Sequence, residues 1–346
     1  MAAPTTKETW IEHCLYEPTP AERRPHLTRA QRAALPAPEQ ARFDASRRSY
    51  IVENRVYETR NVVTIGKRCR RLLERTTQPS PVVRRGLRVA GVSGSGKSTT
   101  ILDAGRELDV GLRRRNNRAV DDLSYLPVIY VTIGDVNSDN KLWAAFAEFV
   151  GLPLSARGNA DTRLYRLTAI LRELGTRFVI VDEVQHLQTH KTNGAQAANA
   201  LKRFAEHIDA TMIYVGVDLD HAPLFTGEAG KQWRARTIPY EMSTYHIERA
   251  SDRREWVDLI DAFDNDLPLC NQVAGALARQ DQYLFHRTAG SIGSLKQLLT
   301  DAALDAIDDG RERITRAHLD AVVLDSAADD YAAGHRPPVR SDRRRR

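Results

Sequence analysis

The chain is poor in cysteine, with Cys14, Cys69 and Cys270 spread singly over 346 residues and no C-x-x-C pair among them. That excludes a disulfide framework and a zinc ribbon, and it suits a reducing compartment. There is no run of about 18 apolar residues, which excludes a membrane-spanning helix. The N-terminal sequence MAAPTTKETWIEHC lacks the basic-then-apolar order of a secretion signal. No internal repeat appears, so a solenoid or propeller is excluded too. What remains is a globular composition, 42% apolar and 28% charged, enough for one large or two modest cores. The formal net charge is +6, carried mainly by arginine, which permits a polyanionic partner without requiring one.

The stretch that organises the rest is GLRVAGVSGSGKSTT, Gly86 to Thr100. A short apolar run leads into G-x-x-x-x-G-K-S, and a helix-compatible sequence follows, which is the strand–loop–helix context a phosphate-binding loop needs. Gly91, Val92, Ser93, Gly94, Ser95, Gly96, Lys97, Ser98 and Thr99 are the candidate nucleotide-binding residues. The glycines let backbone amides turn inward toward a pyrophosphate, and Lys97 supplies a point charge for the β- and γ-phosphates. Ser98 offers a hydroxyl to Mg²⁺, at a helix N-terminus that itself favours an anion.

About 85 residues further on, RFVIVDE closes an apolar run with two carboxylates, the form of a Walker B motif. Asp182 is the candidate metal ligand. Glu183, one residue on, is the candidate that orients the water attacking the γ-phosphorus.

Three further apolar, β-branched runs read as strands: Leu126–Ile133, Arg177–Asp182 and Ala210–Val217. Continuous rather than alternating apolar character marks strands buried on both faces of a parallel sheet. Helical spacing between them (142, 146, 149, 150; 164, 167, 171, 174; 201, 204, 205, 208) gives an alternating α/β middle. The third strand ends near Asp218, the candidate polar residue beside the γ-phosphate, with Asp220 as the alternative. Beyond it, KQWRARTI leads into an apolar turn. Its Arg236, or else Arg234, is a candidate arginine finger acting on a neighbouring subunit.

The expected organisation is therefore a Pro- and Arg-rich appendage over 1–48 with short helices, an α/β core over 49–244, a small helical domain over 245–326, and an Arg-rich disordered tail over 327–346. Within 62–74 the apolar positions fall at helical spacing opposite a basic face. In the helical domain, stripes at 256–263, at Val273 and Leu277, and at 295–302 each predict a helix. Thr315 reads as the N-cap of a last helix bearing Leu319, Val322 and Val323.

Together, the phosphate loop, VIVDE, the R-x-R segment and a lid with the turn Gly290-Ser-Ile-Gly293 resemble AAA+ ATPases. VDEVQHL at 181–187 and the lid sequence TAGSIGSLKQLLTDAALDAI, followed by ITRAHL, resemble more narrowly the TniB/TnsC regulators of DNA transposition. The resemblance implies a P-loop AAA+ core with a parallel sheet flanked by helices and a C-terminal helical lid. It also implies a Mg²⁺-dependent ATPase of the bacterial cytoplasm, assembling as a ring or helical filament on duplex DNA with little sequence preference. Its implied partners are a DDE transposase and a TniQ/TnsD-like target selector. Where the AAA+ lid carries G-N-x-R this chain has Gly293, leaving Lys296 or Ser294 to serve as nucleotide sensor. DNA contact is expected from loops after the strands, with Lys141, Lys191, Lys202 and Arg203 as candidates. Alternative readings are a STAND-type signalling or defence switch and a replication initiator or helicase loader.

Overall fold

The computed structural model describes residues 3–76, 84–134, 138–152, 159–188 and 193–324. In chain order the helices before the sheet are α1 (Lys7–Leu15), α2 (Arg29–Ala33), α3 (Ala37–Val52) and α4 (Arg60–Thr76). The alternating region then runs β1 (Gly86–Gly91), α5 (Lys97–Arg115), β2 (Val128–Thr132), α6 (Asp139–Phe149), α7 (Ala160–Glu173) and β3 (Phe178–Asp182). It continues with α8 (Asn193–His207), β4 (Thr211–Gly216), α9 (Gly227–Ala235) and β5 (Thr237–Met242). After it come α10 (Ala250–Asp266), α11 (Asp281–Thr288), α12 (Ile292–Asp308) and α13 (Arg316–Ala321).

Among the described residues the five strands form one sheet in the order β2-β3-β4-β1-β5. Every neighbouring pair is parallel. The inner strands are the apolar runs of the sequence: β3 and β4 are buried at every position. In a parallel sheet covered on both faces, each side chain of an inner strand must be apolar or paired. β5 differs. Its burial alternates, and Pro239 sits in it facing Arg88 of β1. An edge strand bonds on one side only, so a proline costs it no ladder hydrogen bond there. This is why an alternating segment containing proline reads from sequence as a turn and forms a strand.

The chain divides into two compact units: residues 1–17 with 58–243, and residues 18–57 with 244 onward. The first 48 residues are therefore shared between both units, rather than forming one appendage. α1 belongs to the α/β unit because its apolar face is absorbed there. Trp10 is fully buried, its indole N–H donates to Asp109 at 3.0 Å, and it stacks parallel on Tyr130 with ring centroids 6.2 Å apart. Gly105 on α5 makes the room, since a Cβ there would lie 2.9 Å from the Trp10 ring.

In the helical unit α3 joins the later helices through an ion pair that is wholly buried. Both amino groups of the Arg47 guanidinium donate to Glu312, and the same Arg also meets Asp44 at 2.8 Å. The carboxyl of Asp44 is held below the usual range by its bonds to Arg32 and the charges of Arg47 and Arg32. A bidentate, buried guanidinium–carboxylate pair keeps both charges partnered, which is the condition for tolerating them in a core. Ser291 caps α12, accepting from the Ser294 N–H at 3.3 Å. Gly290 before it has φ +68°, and a Cβ there would meet the Tyr245 carbonyl at 2.6 Å. Thr315 caps α13 as its position in the sequence predicts.

Two expectations for this unit fail. Val273 is 57% exposed and precedes the turn at 274–277, so the stripe built on it and Leu277 is not a helix. The last helix ends at Ala321, leaving Val322 beyond it and Val323 77% exposed. A helix that the sequence did not signal, α11, fills the interval, packing Leu284 and Phe285 into the core. The tail expected over 327–346 lies outside the described residues.

Candidate functional site

Parallel strands put the loops that follow β1, β3 and β4 at one end of the sheet, and the strand order seats β4 between the other two. The loop after β1 turns through Gly94 at φ +74° and Gly96 at φ +83°, conformations that a side chain resists. Gly91 is required for another reason: a Cβ there would lie 2.5 Å from the Met242 carbonyl on β5. Ser95 is consumed locally, its hydroxyl donating to the Val92 carbonyl at 2.8 Å. Lys97 and Ser98 then open the 19-residue helix α5, whose first N–H groups point into the loop.

Lys97 is nearly buried, and its ammonium donates to the Val92 carbonyl at 2.7 Å. Burial lowers its pKa, and the carboxylates that oppose this are Glu183, Asp182 and Glu241, in that order. Ser98 Oγ donates to Asp182 Oδ2 at 3.1 Å, so the hydroxyl and the carboxylate stand side by side. Tyr130, on the neighbouring strand β2, donates its phenol to the same Oδ2. Burial, reinforced by the charge of Asp182, pushes that phenol's pKa up and keeps its proton on. Tyr130 is therefore the link between the Trp10 ring and the Asp182 carboxylate.

Glu183 follows the end of β3 in the left-handed region at φ +59°. Its N–H donates to Asp182 Oδ1 at 2.8 Å, and its Oε2 accepts from the Gln185 amide. His186 Nε2 lies 3.4 Å from the same oxygen. Gln185 also accepts the Val217 N–H at 3.0 Å, so its amide spans from β4 to Glu183.

Other candidates stand elsewhere. Asp218 is at the correct end of the sheet, but its side chain is 65% exposed and bonded to His221 Nδ1 at 2.6 Å. That bond raises the His221 pKa. Asp220 pairs with Arg88 at 2.9 Å. The residue that β4 brings to Glu183 is Val217, through Gln185. Arg236 lies at the opposite end of the sheet, where its carbonyl accepts from Gly86 at the start of β1. Its guanidinium meets Glu206 at 3.2 Å and rests over the Trp233 ring. Arg234 closes the last turn of α9.

In the helical unit, Ser294 is buried in the α12 cap and Lys296 donates to Asn54 at 3.2 Å. Of the DNA candidates, Arg203 is paired with Asp161, and Lys202 is half-buried with its pKa lowered by that burial. Lys141 sits in the first turn of α6, its N–H held by Ser138. Lys191 lies outside the described residues, as do 135–137 of the loop before α6.

Tyr130, Gln185 and Glu241 were missed from sequence. Tyr130 was signalled, since a phenol inside a strand buried on both faces needs an acceptor. Glu241 was lost together with β5. Its carboxyl pKa is raised by burial and by Asp220 and Asp218, while Lys97 lowers it.

A phosphate loop and a Walker B strand separated by one strand, in a parallel β2-β3-β4-β1-β5 sheet, define an AAA+ ATPase fold. A family profile, Bacterial TniB protein, matches residues 47–229, more than half of the chain, and the protein belongs to that family. No curated protein matches it. Among solved structures it is similar to the Aeropyrum pernix ORC2 protein, described in ADPNP–ADP complexes, at TM-score 0.60 and 16% identity, covering 79% of this chain and 70% of that one. It is also similar to the Aeropyrum pernix ORC1 protein in complex with DNA, at TM-score 0.51 and 15% identity, covering 81% and 66%. Cdc6p from Pyrobaculum aerophilum matches at TM-score 0.51 and 16% identity, covering 77% and 67%. At these identities the likeness is one of fold. No helix among the described residues is long and apolar enough to cross a membrane.

Proposed function

We propose that this protein is an ATP-dependent regulator of DNA transposition. In this reading it binds ATP with Mg²⁺ at the β1–α5 loop, gathers as a ring or filament on duplex DNA, and leaves when the nucleotide is hydrolysed. The observation that carries the reading is the contact of Ser98 with Asp182 at 3.1 Å beside the buried Lys97, inside the segment that matches the TniB family. A hydroxyl and a carboxylate on adjoining positions suit a small hard cation that keeps several waters and phosphate oxygens. Ser98 and Asp182 would hold the Mg²⁺, which neutralises charge on the phosphates.

The chain's own residues supply the rest. The amides of Gly91 to Thr99 and the N-terminus of α5 receive the phosphates, and Lys97 exchanges the Val92 carbonyl for phosphate oxygens. Glu183 orients the water. The water's oxygen bonds to the γ-phosphorus as the bond from that phosphorus to the β–γ bridging oxygen breaks; ADP leaves with the bridging oxygen, and the water's proton passes through Glu183 to the departing phosphate. Arg236 is the proposed finger toward a neighbouring subunit's phosphates. DNA contact is assigned to the phosphate backbone, with Lys141, Lys202 and Arg203 the candidates among the described residues, and the proposed partners are a DDE transposase and a TniQ/TnsD-like selector.

The second reading, a replication-initiator-type ATPase, draws on the likeness to ORC1 in complex with DNA. The family match favours transposition. Glu183→Gln tests the chemistry: it should bind ATP as the wild type does, lose turnover by about 100-fold or more, and stay on duplex DNA after ATP is added. Normal turnover in that variant would remove the assigned role.

A further inference from the structure

We propose that Gln185 is a positioning residue for hydrolysis, holding the Glu183 carboxylate toward the phosphate end of the site and tying its orientation to the end of β4. The inference rests on the ATPase reading above and names a part of that site.

Both ends of the Gln185 amide are engaged. Its Nε2 donates to Glu183 Oε2, and its Oε1 accepts the Val217 N–H at 3.0 Å. The amide's orientation is thereby fixed, because only the oxygen can accept from a backbone N–H and only the nitrogen can donate to a carboxylate. Space for the bridge comes from Gly216: a Cβ at that position would lie 2.2 Å from Gln185 Oε1. Gln185, Gly216 and Val217 thus form one device spanning β3 and β4, the two strands that end beside the nucleotide loop.

Glu183 needs such a hold. It sits at φ +59°, the left-handed region that a residue with a side chain resists. Such strain persists only when surrounding bonds over-determine it. Two do: the Asp182 carboxylate on its N–H at 2.8 Å, and Gln185 on its side chain. Glu183 follows the last residue of β3, and its neighbour Asp182 accepts from Ser98 Oγ at 3.1 Å, so the carboxylate stands at the phosphate-loop end of the sheet. His186 Nε2, at 3.4 Å from the same oxygen, can help to align it. With Gln185 in place, a shift at the end of β4 moves the attacking water's partner.

The test is steady-state ATP hydrolysis by the full-length protein with Mg²⁺, together with titration of a fluorescent nucleotide analogue. Gln185→Ala should lower kcat about 10- to 100-fold, the cost of misplacing a catalytic group by about an ångström, with KM and analogue affinity within about twofold. Gln185→Glu keeps the shape and the acceptor for Val217 but removes the donor, and should lose kcat to a similar degree without losing thermal stability. In a Glu183→Gln background, Gln185→Ala should add nothing. Wild-type kcat in a folded Gln185→Glu protein overturns the inference, while the ATPase reading survives as long as Glu183→Gln is still dead. Full turnover in Glu183→Gln overturns both.

Discussion

The two ends of the sheet are built on different terms. At the carboxyl end, hydrogen bonds link Ser98 to Asp182, Asp182 to Glu183 and Glu183 to Gln185, and the buried Lys97 is held on the Val92 carbonyl. At the amino end, Arg236 is 43% exposed and pairs with an equally open Glu206. The six residues of β5 separate the two, about 17–20 Å at strand rise. No rotamer of Arg236 closes that distance, so the guanidinium has no access to its own chain's nucleotide loop. One chain thus carries the phosphate-loop motif at one end and an exposed cation, held by surface contacts with Glu206 and Trp233, at the other. A neighbour's loop facing that cation completes the proposed catalytic set.

The comparison breaks most visibly if Arg236 is removed. Arg236→Ala should leave the affinity of the isolated chain for nucleotide within about twofold, yet cost DNA-stimulated turnover about 10³-fold, the scale of a transferred arginine. Mixing it with Glu183→Gln subunits should restore part of the rate, because an intact loop can then meet an intact arginine. Equal loss of binding and turnover would place Arg236 in its own fold instead. Next in size is Lys97→Ala, which leaves the amino end untouched and should weaken ATP binding about 100-fold, as expected when one member of a buried, hydrogen-bonded charge pair is lost. Tyr130→Phe asks how much of the site depends on its supporting residues. Removing the donor from Asp182 should raise the Mg²⁺ needed for half-maximal turnover about 10-fold, with the unfolding temperature little changed.

The smallest effect is a pH dependence. Burial lowers the Lys97 pKa below its ordinary 10.5. In that window the unfolded chain holds the extra proton, so raising the pH toward 10.5 should stabilise the nucleotide-free protein slightly. The same deprotonation removes the charge that receives phosphate, so ATP affinity should fall. Thermal melts with and without ATP across that range should move in opposite directions.

Sequence and structure agree best where backbone and chemistry constrain the same residues. The loop from Gly91 to Thr99 is legible because glycine, lysine and serine each answer a separate physical demand. The strands at 128–132, 178–182 and 211–216 are legible because burial at nearly every position leaves mainly apolar residues, with polar ones such as Tyr130 and Asp182 paired. β5 is illegible because its burial alternates and its place at the sheet edge tolerates Pro239. The division of the first 57 residues between two units was hidden as well. It depends on long-range partners, Asp109 for Trp10 and Glu312 for Arg47, which no local pattern reveals. Gln185 was visible as part of VDEVQHL, but its partner on β4 lies 32 residues away and emerges only from the strand order.

Central to the account is that ATP joins the two ends of the sheet across neighbouring copies on duplex DNA. Electron microscopy of the purified protein with duplex DNA, with ADP or with a non-hydrolysable ATP analogue, addresses it directly. The account predicts regular rings or filaments on DNA with the analogue and dispersed particles with ADP. Dispersed single copies under both conditions would contradict it.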